Sequence, residues 1–382
     1  MTVVTNIEDL RQIARRKLPR ALFDYAERGS YDETTLAANR ADLDAIHLRQ
    51  RVLVDVSQIS VATTLLGENL ALPVAIAPTG MAGLFNRDGE VQGARAAQSA
   101  GTRLCLSTMS ICTIEDVREA TTQPFWYQLY MFKDRGFCRE MIERAKAANC
   151  SALFVTVDLP MRGQRHMDLK NGLTVPPRLT MRNAFDLATK PGWVMSVLRS
   201  KRRSFGNVDL YLKGQGAART GAIPSGSWAN ENYDRTLNWR DIDWVRGIWP
   251  GKLVLKGILD VEDANTAVAA AVDGIVVSNH GGRQLDGAVS SISALPRIAD
   301  AVGDRLDILF DGGVRSGQDV LKALARGARA CMIGRAFLYG LAAGGEDGVR
   351  QALELIRAEL QVSMALTGTR DVRSVSRDVI AN

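Results

Sequence analysis

Short, nearly unbroken apolar runs alternate along this chain with longer stretches in which apolar residues recur every third or fourth position. The runs are "LPVAIAPTG" (72–80), "TRLCLST" (102–108), "FWYQLY" (125–130), "ALFVTVD" (152–158), "KLVLKGI" (252–258), "DGIVVSN" (273–279), "DILFDGG" (307–313) and "ARACMIGR" (328–335). Each is too short for a helix and ends in polar or glycine residues, so each reads as a buried strand. Between most of them lie helical patterns such as "DGEVQGARAAQSAG", "RGFCREMIERAKAANC" and "SGQDVLKALARGA", with Asp or Ser near several starts and Gly or Asn near several ends. Apolar strands alternating with helices predict a parallel sheet covered by helices, and eight such units predict an α/β fold of the (β/α)8 TIM barrel type.

The spacing also predicts how the chain is divided. Strand starts lie roughly 20 to 35 residues apart, near the minimum for a βαβ unit, except after the fourth strand, where Asp158 and Lys252 are roughly a hundred residues apart. The expected organisation is one domain, 1–382. It comprises a helical N-terminal extension (1–71, including "IEDLRQIARRKLPRALFDYAERGS"), a barrel (72–365) and an inserted loop (159–237). The rival architecture, a doubly wound open sheet, would need a Gly-rich turn after its first strand, and "APTGMAG" lacks that spacing.

Composition narrows the classes. No run of 18 apolar residues offers a membrane span, and the acidic residues of the first twenty predict no secretion signal. Five cysteines without CxxC spacing predict reduced thiols packed in the core of a cytoplasmic protein. The net charge of +6 matters only where it is concentrated. Between Pro176 and Lys213, eight Lys/Arg face two Asp, interleaved with Trp193, Val194, Met195, Val197 and Leu198. No recognisable nucleic-acid module accompanies them.

Barrel enzymes place their chemistry at the carboxyl ends of strands. Here those tips are Thr79 and Gly80; Ser107; Gln128 and Tyr130; Thr156 and Asp158; Lys256; Ser278 and His280; Asp311, Gly312, Gly313 and Arg315; Gly334 and Arg335. On the last two strands, "DGGVRSGQD" and "IGRAF" pair glycines with an arginine. Backbone N–H groups and a guanidinium at that position suit a phosphate. The other tips supply amide, hydroxyl and ammonium groups fit for a flat heteroaromatic ring, which together describe a flavin mononucleotide site. His280, in "SNHGGRQLD", is one of only three histidines. It reads as a packed imidazole, a metal ligand or a proton-transfer group. An approach of Asp158 would favour the last, by fixing the tautomer and stabilising the imidazolium. Arg165 and Arg283 follow the same two tips and could grip a carboxylate as forks. No metal is expected, because His47 and His166 lie elsewhere and no ligand spacing accompanies them.

The stretches "SNHGGRQLD", "DGGVRSGQDVLKALARGA", "IGRAFLYGLA", "QLYMFKDR", "TVDLPMRGQR" and "LVLKGIL" resemble the FMN-dependent L-2-hydroxy acid dehydrogenase and oxidase family, from about Asp24 to Gly368. The resemblance implies a flavin barrel, often tetrameric, that oxidises a 2-hydroxy acid to the 2-oxo acid. By motif it makes His280 the base and Asp158 its support, with Tyr25, Tyr130, Arg165 and Arg283 on the substrate. It places Pro78, Thr79, Gly80, Ser107, Gln128, Thr156, Lys256 and Ser278 on the ring and ribityl chain. Asp311, Gly312, Gly313, Val314 and Arg315, then Gly334 and Arg335, would close on ribityl and phosphate.

Within the family, "LSTMSICTIEDV", "KGILDVEDA" and "GIVVSNHGGRQLDG" look closest to bacterial quinone-linked lactate enzymes. The expectation is therefore L-lactate oxidation with a quinone or other acceptor. Mandelate dehydrogenase and a glycolate-type oxidase are the alternatives, and an FMN-dependent isomerase or a flavin-binding sensor is more remote. Met109 lies where family members differ, and Gly80 stands where several oxidases carry alanine. The 176–213 segment resembles the loop that docks some relatives on a membrane; a solvated lid over the substrate is the competing reading.

Overall fold

The computed structural model describes residues 3–173, 180–217 and 221–381. Two short antiparallel strands, β1 (Thr63–Leu65) and β2 (Glu68–Leu70), precede eight parallel ones: β3 (Val74–Ile76), β4 (Cys105–Ser107), β5 (Trp126–Tyr130), β6 (Ala152–Thr156), β7 (Lys252–Ile258), β8 (Gly274–Val277), β9 (Asp307–Phe310) and β10 (Ala330–Ile333). The sheet order β3-β10-β9-β8-β7-β6-β5-β4 leaves β3 and β4 at its edges, and a parallel bridge between Ile76 and Leu104 joins them. The sheet closes on itself as the expected (β/α)8 barrel. Nearly every strand residue is buried because both faces are covered. Ala75, Cys105, Trp126, Phe154, Val254, Val276, Leu309 and Met332 fill the interior, while the alternate residues pack under the helices.

Most strands are shorter than the apolar runs that predicted them. The chain leaves β3 at Ile76, and Ala77–Gly80 continues as irregular backbone over the barrel mouth. Helix starts are set by side-chain caps, with reciprocal capping boxes at Thr113/Asp116, Asn238/Asp241 and Ser316/Asp319. Asp319 also accepts from the Arg315 N–H at 2.8 Å and from Arg40 at 2.8 Å, which pins the loop after β9.

The N-terminal extension is only partly as expected. Helices Ile7–Lys17, Arg20–Glu27 and Thr34–Asp44 are present, but residues 63–70 form the β1–β2 hairpin rather than helix. Leu66 and Gly67, at φ 52° and 79°, make a two-residue turn with both residues left-handed, the geometry that matches strand twist. Leu65, Leu66 and Leu70 join the interior cluster and seal the amino-terminal end of the barrel.

Within the insertion, residues 174–179 and 218–220 lie outside the described residues, so the first four positions of the 176–213 segment are not described. The rest forms helices that include Met181–Ala188, Pro191–Arg199, Gly206–Gly214 and Ala222–Asn232. These are tied down. Trp193 donates to the Leu84 carbonyl at 2.7 Å, and Arg202 bridges Asp116 and Asp88 at 2.6 and 2.7 Å. All five cysteines are buried thiols.

Candidate active site

The strand tips converge on a cavity of about 350 Å³ at the carboxyl end of the barrel. At one end lie Asp311–Arg315, Gly334 and Arg335. Gly312, at φ 107°, has no room for a side chain, since a Cβ would stand 2.2 Å from the Ser291 Oγ. The backbone itself therefore lines this end. Arg335 is anchored by backbone carbonyls, donating to Ala26 at 2.8 Å and Gly281 at 3.0 Å, and the Arg315 guanidinium lies over the Tyr339 ring at 4.9 Å. Neither arginine has a carboxylate within ion-pair distance among the described residues. Burial, reinforced by the charge of Arg315, pushes the Arg335 guanidinium down to about 10. Two cations held together without a counter-ion define an anion site.

Strand register sets the middle of the cavity. Tyr130, Thr156 and Lys256 are aligned across β5, β6 and β7, and Ser107 is paired with Gln128 across β4 and β5. Gln128 accepts from the Ser107 hydroxyl at 3.1 Å, which leaves its amide nitrogen buried without a partner. The Lys256 ammonium reaches Asp311 at 2.7 Å and donates to Ser278 Oγ at 2.9 Å. Burial would lower its pKa, but Asp311 and Asp158 outweigh that and raise it. Pro78, Thr79 and Gly80 form the facing wall.

His280 occupies a left-handed backbone position, φ 57°, that costs a residue with a Cβ about 1 kcal/mol. Its N–H donates to Ser278 Oγ at 3.0 Å, and its Nδ1 meets Asp158 Oδ1 at 2.9 Å. That leaves Nε2 as the ring nitrogen facing the cavity. Burial would raise the Asp158 carboxyl, yet His280, by charge and hydrogen bond, and Lys256 hold it below the usual range. The approach depends on a bulge. Gly257 interrupts the β7–β8 register at φ 112°, and a Cβ there would stand 2.6 Å from the Asp158 carboxyl carbon.

At the other end, Arg165 and Arg283 flank Tyr25, with guanidinium carbons 5.9 and 4.8 Å from the ring centre. Arg283 donates to the carbonyls of Tyr25 and Arg28, while Arg165 has an unpartnered buried Nε and only a distant carboxylate, Asp168 at 3.8 Å. Burial and the neighbouring Arg283 push Arg165 down to about 10. Tyr130 completes this end.

Seventeen of the residues singled out from sequence line the cavity itself, from Tyr25 to Arg335. Asp158, Gln128, Thr156 and Ser278 stand directly behind them. The sequence reading missed Leu84, Leu159, Arg162, Leu173, Phe205, Asn230 and Tyr233, which also line it. Several come from the insertion, where no motif marks them. Tyr233, at 5.9 Å edge-on to Tyr130, had no local signal at all.

A family model described as FMN-dependent dehydrogenase matches residues 14–382. The chain belongs to the FMN-dependent dehydrogenase family. Among its full-length relatives, L-lactate dehydrogenase of Caulobacter sp. (strain K31) is 49% identical over 380 residues, covering 99% of both chains, and that of Pseudomonas aeruginosa (strain LESB58) is 48% identical over 377 residues, covering 98% of both. Among solved structures, the monotopic membrane protein (S)-mandelate dehydrogenase superposes with a TM-score of 0.94 at 34% identity over 100% of both chains. A mandelate oxidase with (S)-4-hydroxymandelic acid gives 0.83 at 36% over 98% of both.

The cavity fits the family's cofactor on its own geometry. The counter-ion-free Arg315 and Arg335 suit a phosphate, and the orphaned Gln128 amide and Asp311 Oδ1 suit a polar ring edge and ribityl hydroxyls. A protein of this family has reason to leave these groups unsatisfied, since each costs about 1 to 3 kcal/mol until a ligand meets it.

Proposed function

We propose that this FMN-dependent dehydrogenase oxidises L-lactate to pyruvate and hands the electrons to a quinone. The observation that carries the reading is the His280–Asp158 pair standing beside two guanidinium groups whose nearest carboxylate among the described residues is Asp168, 3.8 Å from Arg165. Arg165 and Arg283 would grip the substrate carboxylate, and the Tyr25 and Tyr130 hydroxyls would orient the acid. His280 Nε2 would take the hydroxyl proton while Asp158 stabilises the imidazolium. Bound FMN would accept the two electrons that leave with the Cα hydrogen. Arg315, Arg335 and the 311–314 backbone would hold its phosphate, and Lys256 would set positive charge against its polar edge. Lactate is favoured over mandelate because the relatives bearing its name share about half of this sequence, against about a third for the mandelate enzymes.

Anaerobic stopped-flow mixing with L-lactate, L-mandelate and glycolate tests this. Flavin bleaching should be fastest with L-lactate, and reoxidation faster with quinone than with oxygen. Preference for mandelate or glycolate would move the substrate, while no bleaching with any acid would point to an isomerase or sensor.

A peripheral membrane position is part of the same proposal. Met181, Phe185, Met195 and Leu198 are exposed on the insertion helices (88% and 75% for the first two), interspersed with Arg182, Lys190, Arg199 and Lys201. That combination suits an anionic bilayer, each well-placed cation contributing about 1 kcal/mol. No described helix is long and apolar enough to cross a membrane. Cosedimentation with anionic vesicles should be lost when Phe185 and Leu198 become Ser. Homotetrameric assembly, implied by the family resemblance, is read by light scattering.

A further inference from the structure

A second cavity, of about 450 Å³, adjoins the substrate end of the first and shares Arg162, Arg165, Leu173, Asn230 and Tyr233 with it. Its walls carry four cations, Lys133, Arg162, Arg165 and Arg235, against two carboxylates, Asp168 and Glu231. Elsewhere the surface arginines of this protein are commonly ion-paired, as Arg144 is with Glu115 and Arg202 with Asp116. Here they are not. Among the described residues, no carboxylate lies within ion-pair distance of Arg162, Arg235 or Lys133. Lys133 spends its ammonium on the Glu231 backbone carbonyl at 2.9 Å. Among the described residues, Arg162 donates only to the Asn230 side-chain oxygen, at 2.9 Å, where the two cavities meet. Its charge is felt inward, since it disfavours the charged form of Arg165 and favours that of Asp168.

We propose that the second cavity is the antechamber through which the anionic substrate reaches the active site, and that Arg162 is its inner relay. A carboxylate drawn in by Lys133 and Arg235 meets Arg162 at the boundary and is passed to Arg165, whose guanidinium borders both spaces. The Arg162–Asn230 hydrogen bond spans that boundary, and an incoming carboxylate can replace it, since a guanidinium–carboxylate pair carries charge on both partners and can form two parallel bonds where the amide oxygen accepts one. Arg162 thus acts on arrival and not on chemistry. The proposal rests on the hydroxy acid reading of the site but not on which acid is used.

The test is steady-state and rapid kinetics on the FMN-loaded full chain, comparing Arg162→Gln, Arg235→Gln and the double variant with wild type between 20 mM and 500 mM KCl. At low salt, kcat/KM should fall about three- to tenfold in each single variant and further in the double one, while the rate at saturating acid holds; at high salt the curves should converge, because screening removes the steering. A parallel loss of affinity for oxalate, which is not oxidised, should appear by calorimetry. This arm keeps the antechamber testable even if L-lactate proves not to be the substrate. Arg203 lines the first cavity alone, on the insertion side. A salt-dependent fall in Arg203→Gln without one in Arg235→Gln would place the access route there and overturn the proposal. So would unchanged kcat/KM in both Arg162 and Arg235 variants, or a loss of the saturated rate to match.

Discussion

The two ends of the barrel treat charge in opposite ways. At the amino-terminal end, polar groups find partners within the protein. Arg103 meets Glu68 at 2.7 Å, the Trp126 indole donates to the same carboxylate, Asp307 takes the Leu66 N–H and Arg329, and Asp273 serves both Arg246 and Lys252. Below them the β1–β2 leucines fill the opening. At the carboxyl end, Arg165 has only Asp168 at 3.8 Å, Arg283, Arg315 and Arg335 have no carboxylate within ion-pair distance among the described residues, and Gln128 Nε2 and Asp311 Oδ1 are buried without a partner. One end is arranged for stability. The other gives stability up so that ligands complete its hydrogen bonds.

Substitutions at the two ends should therefore separate folding from turnover. The largest effect is expected from His280→Gln, which should lower kcat about 10²- to 10⁴-fold while flavin absorbance and the thermal midpoint stay in place; loss of bound flavin would mean that the imidazole has a structural task instead. Next, Leu65→Ala at the plug should cost about 2 to 5 kcal/mol in urea unfolding with kcat of the folded enzyme unaltered. A loss of kcat alongside would show the two ends to be coupled.

Arg165→Met sharpens the contrast, because turnover and stability should part company. Activity, as kcat/KM, should drop about 10²-fold for want of the fork, whereas the stability of the flavin-loaded enzyme without substrate should change by no more than about 1 kcal/mol, because relief of the Arg165–Arg283 repulsion offsets the loss of the 3.8 Å pairing with Asp168. A fall in stability of several kcal/mol would show that Arg165 serves the fold and not the ligand. The smallest effect concerns Asp158. Its carboxyl is depressed in the folded protein, so its stabilising contribution is present above the unfolded value near 4 and disappears as pH falls through the lower folded one. The stability gap between wild type and Asp158→Asn, measured by urea unfolding at pH 6 and pH 3, should narrow at the lower pH; a constant gap would mean that the carboxylate's charge does not stabilise the fold.

How far the chain announced this can be judged from particular residues. Strands β3 to β10 were legible because burial on both faces makes them apolar throughout, and β7 matches its predicted bounds, Lys252–Ile258. The site was legible because polar residues at the ends of such strands have nowhere to point but the mouth. The β1–β2 hairpin was not, since three-residue strands are too short to show a period, although Leu66-Gly67 is a turn signal in retrospect. Phe205, Asn230 and Tyr233 were hidden for another reason. They reach the cavity from an insertion whose path is decided by distant contacts such as Trp193 with Leu84, and local sequence does not encode those. Tyr25 was reached only by resemblance.

Position 257 carries neither charge nor side chain and lines neither cavity. Yet a single methyl group added there would occupy the volume in which the acid behind the imidazole rests, and that acid would have to move away. The proposed proton relay is thus as vulnerable to bulk as to lost charge, and polar residues alone do not mark every position on which it depends.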